Sequence, residues 1–152
     1  MPTRTILVAV IAFAAGWTAS LPAQPQQIRR YFSPRTPADT AVPPYSGAVL
    51  VGDTLYLSGT IGRNADGSIP ATVEAEARNA LNNVKASLEA AGMTMDDLVT
   101  MQVFASDTAD NDVFNQIYRT YFTREFPARA FVGAGPLLSN GRYELQGIAV
   151  KR

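Results

Sequence analysis

In only two places do the apolar residues of this chain recur at helical spacing, and that scarcity limits what it can build. Between Thr72 and Gly92, the residues Val73, Ala77, Ala80, Leu81, Val84, Leu88 and Ala91 fall on one helical face. Glu74 and Glu76 sit in the first turn, where they complement the helix dipole, and Gly92 is a natural stop. A second helix is expected over Asp110 to Thr123, with Phe114, Ile117, Tyr118, Tyr121 and Phe122 as a broad aromatic core face. The other apolar runs are short and bounded by turn residues, which is the pattern of strands. They span residues 28–33, 48–51, 54–58, 98–104, 128–134 and 142–150, with Gly52-Asp53, Gly135-Pro136 and Asn140-Gly141 among the turns.

The order β-β-β-α-β-α-β-β describes an α+β domain whose two helices cover one face of a mixed sheet. Val99, Met101 and Val103 are expected on one side of their strand, with Leu98 and Phe104 on the other. A sheet apolar on both faces needs a second cover, and no third helix is present to supply it. The expected cover is another subunit.

The chain contains no His and no Cys, so a Ser-His-Asp relay, a cysteine nucleophile, a disulfide and an ordinary zinc site are all excluded. Lys plus Arg balances Asp plus Glu at 13 each, which gives no net field to attract nucleic acid. Asp107, Asp110 and Asp112 lack the Gly and terminal Glu of a calcium loop and read as helix caps. Asp96-Asp97 reads as a solvated pair. Gly59-Thr60-Ile61-Gly62 and Gly133-Ala134-Gly135 do not continue as a dinucleotide or phosphate loop, and they read as turn and close-packing positions. Arg129 stands out, because it follows Pro127-Ala128 at the head of an apolar strand. A cation there must reach solvent or meet an anion.

Residues 1–23 read as a signal segment, with Arg4 before an apolar core from Ile6 to Trp17 and small residues after it. That core of about 12 residues is shorter than the roughly 20 that span a bilayer. The expectation is a secreted or periplasmic protein with no stable membrane anchor after processing. Residues 24–43 read as a linker with a short first strand, and residues 44–152 as the folded domain.

Pro44-Tyr45-Ser46, Leu55-Tyr56-Leu57-Ser58-Gly59, Ala80-Leu81-Asn82-Asn83-Val84, Asn115 with Tyr118, Pro127-Ala128-Arg129 and the ending from Glu144 to Val150 together resemble the Rid family of reactive-intermediate deaminases. The resemblance runs from about Pro44 to Arg152. It implies a chorismate-mutase-like fold, a homotrimer with sites between subunits, and hydrolysis of small carboxylate-bearing enamines and imines to 2-oxo acids and ammonia without a cofactor or metal. In that picture Arg129 grips the substrate carboxylate, Tyr45, Ser58, Gly59 and Asn115 line the pocket, and Gln146 stands at the catalytic position.

Three departures from the family pattern stand out. Gln146 falls where the resemblance calls for a Glu, in Glu144-Leu145-Gln146-Gly147, and an amide cannot take a proton as a carboxylate can. Glu144 lies on the same strand side two residues away. Gly47 and Thr60 each replace a Gln. These departures keep open an alternative, a non-catalytic trimeric binding protein for small carboxylates.

Overall fold

The computed structural model describes residues 28–33 and 43–152. The signal-segment reading of residues 1–23 and most of the linker reading fall outside the described residues. Among those described, no helix is long and apolar enough to cross a membrane.

Six strands form one sheet: β1 (Arg29–Phe32), β2 (Ala48–Val51), β3 (Thr54–Ile61), β4 (Leu98–Ala105), β5 (Ala128–Gly133) and β6 (Tyr143–Val150). They are ordered β1-β2-β3-β6-β4-β5. All neighbours are antiparallel except β4 and β5, which run parallel. The helix α1 (Val73–Ala90) starts at Thr72, whose side chain accepts from the Ala75 N–H, and ends before Gly92 at φ 75°. The helix α2 (Asn111–Tyr118) tightens into a 3-10 turn over Arg119–Tyr121, so regular helix ends earlier than the aromatic spacing implies.

Both helices pack on one sheet face. Ala77, Ala80, Leu81, Val84 and Leu88 of α1 and Phe114, Ile117 and Tyr118 of α2 are buried with Leu55, Leu57, Met101, Val103, Tyr143 and Leu145. The opposite face leaves Tyr56, Val99 and Val150 exposed.

Three expectations need correction. The faces of β4 are not as simple alternation gives them: Leu98 is buried with Met101 and Val103, whereas Val99 is exposed. A register irregularity between Leu98 and Thr100 exchanges the two sides at the start of the strand. β3 also runs three residues beyond Ser58, because a bulge between Leu57 and Thr60 lets it resume pairing with β6.

Asp96 and Asp97 have structural partners and are not merely solvated. Asp97 closes a capping box with Thr94, and Asp96 accepts from the Thr123 backbone N–H.

Glu76, read from the sequence only as a first-turn acid, is fully buried. Arg142 Nη1 donates to its Oε2 at 2.8 Å. The backbone N–H groups of Arg142 and Tyr143 donate to its Oε1. Where α1 passes the end of β3, a Cβ at Gly62 would collide with the Glu76 carbonyl oxygen and lie 2.8 Å from the Ala80 nitrogen. Gly62→Ala is therefore expected to destabilise the protein by about 1–3 kcal/mol, as overpacking does when backbone must move. Urea unfolding of both proteins measures this, and equal midpoints would contradict the close approach.

Candidate functional site

The residues singled out from the sequence fall into two groups, one on each face of the sheet. The first group surrounds the bulge of β3. Ser58 and Gly59 occupy the register step, opposite Gln146 of β6. The Ser58 hydroxyl donates to the Ser46 carbonyl at 2.6 Å, and its backbone N–H donates to the Gly47 carbonyl at 3.0 Å. These bonds bring the Tyr45-Ser46-Gly47 segment against the bulge and leave Tyr45 57% exposed.

Gln146 pairs with Gln102, and both side chains are exposed on the face without helices. Glu144 pairs with Phe104 and Ile61 on that same face, between the buried Tyr143 and Leu145. Its carboxylate lies across Gly59 so closely that a Cβ there would collide with it. The bulge and the missing side chain together make room for Glu144 beside Ser58.

The second group stands on the helix-covered face at the β5 edge. Arg129 pairs with the core residue Met101, and its Nη2 donates to Asn115 Oδ1 of α2 at 2.6 Å. The guanidinium carbon lies 4.7 Å from the Tyr118 ring centre and 5.8 Å from that of Phe114. Asn115 and Tyr118 are three residues apart on α2 and share the face turned to Arg129. Among the described residues Arg129 forms no ion pair.

A guanidinium has five N–H donors, so an amide and two ring faces leave most of its capacity for an anion. Burial pushes the Tyr118 hydroxyl up to about 12, with the Arg129 charge pulling the other way. The hydroxyl stays protonated at neutral pH, yet among the described residues it has no hydrogen-bond partner.

The structure thus brings Tyr45, Ser58, Gly59 and Gln146 together, and separately brings Arg129 to Asn115. The sheet lies between the groups within one protomer. From the sequence Tyr118 reads as a core residue and as part of the family resemblance, not as a site residue, although its spacing from Asn115 marks the shared helical face. No group of three or more carboxylates that could hold a metal is found among the described residues.

The sequence model of a family described as endoribonuclease L-PSP matches residues 22–151. The chain is 40% identical over 119 residues to the 2-iminobutanoate/2-iminopropanoate deaminase of Escherichia coli K12, covering 76% of this chain and 93% of that protein. It is 40% identical over 126 residues to the goat (Capra hircus) protein of the same name, covering 82% and 91%. Among solved structures it is similar to the YjgF gene product of E. coli, with TM-score 0.70, 40% identity and coverage of 74% and 91%. It is also similar to E. coli TdcF with bound serine, with TM-score 0.70, 34% identity and the same coverage, 74% and 91%. The fold is the chorismate-mutase-like α+β arrangement expected from the sequence.

A buried hydroxyl without a partner costs about 1–3 kcal/mol. Tyr118→Phe, which keeps the ring under Arg129, is therefore expected to raise stability by about 1 kcal/mol in the absence of ligand. Urea unfolding checks this, and a clear loss of stability would show that the hydroxyl is satisfied in solution.

Proposed function

The chain belongs to the endoribonuclease L-PSP family, which is the Rid family of its sequence resemblance, and from that premise we propose that it hydrolyses small 2-imino and 2-enamino acids to 2-oxo acids and ammonia. The observation that carries the reading is Arg129, held against α2 by Asn115 and two rings with no carboxylate partner among the described residues. It accepts the substrate carboxylate through charge-assisted hydrogen bonds worth roughly 1.5–3 kcal/mol. The deaminase names of relatives about 40% identical, and the serine bound in TdcF, support a small amino-acid-like ligand.

Arg129 fixes the carboxylate and thereby the adjacent imine carbon. The Glu144 carboxylate takes a proton from water as its oxygen bonds to that carbon, and returns it to the nitrogen, which takes up the C=N electron pair. The resulting carbinolamine gives up its hydroxyl proton, which Glu144 relays to the amine, and ammonia leaves as the C–N bond breaks and the C=O of the 2-oxo acid forms. An enamine enters the same sequence after protonation at its terminal carbon.

Glu144, placed beside Gly59, supplies the acid–base function that the neutral Gln146 cannot, and Gln146 is left to orient water or substrate. Ser58, Gly59 and Tyr45 form the wall around it.

The two residue groups meet when the open sheet face of one protomer covers the β5 edge of the next, and a closed ring of three copies satisfies every such contact. The site is then intersubunit, with Arg129 and Asn115 from one copy and Tyr45, Ser58, Gly59, Glu144 and Gln146 from its neighbour. With the signal segment removed, the trimer works outside the cytoplasm on substrates that reach it there.

The test generates 2-iminopropionate with an amino-acid oxidase and follows its decay. Glu144→Gln is expected to lower the rate by about a hundredfold, the scale of a lost acid–base group, and Arg129→Ala by about ten- to a hundredfold, the scale of its lost bonds to the carboxylate, while Gln146→Ala stays within about fivefold. No acceleration by the wild type, with saturable and Arg129-dependent binding of 2-oxobutanoate, would instead establish the non-catalytic carboxylate-binding reading.

Association state is checked by light scattering. A trimer is expected, and a monomer at micromolar concentration would overturn the shared site.

A further inference from the structure

Glu144 can act as the acid–base group only from a fixed place over the β3 bulge, and one residue of α1 is bonded to the backbone beside it. Glu144 sits on β6 two residues after Arg142 and is paired with Ile61 near the end of β3. Both strands are fastened at that level by one residue of α1. The Glu76 carboxylate accepts from the backbone N–H groups of Arg142 and Tyr143, the latter at 3.3 Å. The Glu76 carbonyl oxygen lies against Gly62, the residue after Ile61. At Gly141 an added Cβ would come within 3.4 Å of the same carboxylate. Arg142 completes the enclosure, its guanidinium bonded to Glu76 and to the carbonyls of Pro70 and Ala71 ahead of α1.

A carboxylate with no solvent exposure and three donors on it has little freedom, so the start of β6 is fixed relative to the end of β3. We propose that Glu76 is a positioning residue for the reaction: by binding the backbone at Arg142 and Tyr143, it sets where β6 presents the Glu144 carboxylate over Gly59. The proposal rests on the reading of Glu144 as the acid–base group. It concerns the catalytic half of the site alone, because Arg129 is held by Asn115 of α2 and by its place on β5 and is not bonded to Glu76.

The test separates turnover from binding in the full trimer. Glu76→Asp keeps the charge opposite Arg142 but draws the carboxylate back by about one carbon–carbon bond, roughly 1.5 Å. Glu76→Gln keeps the length and one oxygen for the two backbone N–H groups. With 2-iminobutanoate as substrate, Glu76→Asp is expected to lower kcat about tenfold or more, the scale of an ångström's misplacement of a reacting group. Its Kd for 2-oxobutanoate, gripped by Arg129, should stay within twofold of wild type, and Glu76→Gln should retain kcat within threefold.

A wild-type kcat in Glu76→Asp would overturn the proposal. So would losses of kcat and 2-oxobutanoate affinity in equal proportion, which would mark a merely structural role. A loss above tenfold in Glu76→Gln would also overturn it, by showing that charge and not reach matters. Glu144→Gln is run beside them: if it turns over like wild type, the acid–base reading itself has failed, a result distinct from the others.

Discussion

A carboxylate removed entirely from water has to be answered by the protein, and the arrangement around Glu76 is that answer. Two backbone N–H groups and a guanidinium converge on it. Such a pair is weak evidence for net stability, since desolvating two charges offsets much of their attraction. Its effect on specificity is plainer. The N–H groups of Arg142 and Tyr143 can meet Glu76 in only one register, and a slip of one residue would turn Leu145 outward and Glu144 into the core. The buried charge therefore selects which side of β6 faces the helices.

That constraint was the part of the fold least visible in the sequence. Glu76 lies in the first turn of α1, where a carboxylate is explained well enough by the helix dipole, and nothing local indicates that Arg142 approaches from 66 residues away. The apolar stripe of α1 and the turn pairs bounding β2, β5 and β6 were legible, because helical periodicity and turn chemistry are local properties. The faces of β4 were not. Alternation assumes an unbroken pleat, and the irregularity at Leu98 and Thr100 breaks it. The same limit concealed the continuation of β3, since Ser58-Gly59 reads equally as the end of a strand or as a bulge within one.

The candidate site divides along similar lines. Arg129 was visible because a cation at the head of an apolar strand needs a reason, and the link from Asn115 to it follows from the face of α2 that also carries Tyr118. The different surroundings of Glu144 and Gln146 could not be read from their two-residue spacing, which places both on one face. What distinguishes them is the bulge on the neighbouring strand: it stands opposite Gln146, while Gly59 within it gives the Glu144 carboxylate a surface to lie on.

The two well-placed arginines differ in how their charge is met. Arg142 donates to a buried carboxylate and to two carbonyls that precede α1, so its charge is matched inside the fold. Arg129 meets a neutral amide and the faces of Phe114 and Tyr118, which orient the guanidinium without neutralising it. Ring contacts of this kind are worth about 0.5–2 kcal/mol and leave the in-plane donors free. A half-buried cation supported in this way is already partly desolvated and already oriented, so an incoming carboxylate does not have to bear that part of the binding cost. The aromatic face of α2, which the sequence assigns to the core, thus does more than close the helix onto the sheet: the same rings orient the Arg129 guanidinium.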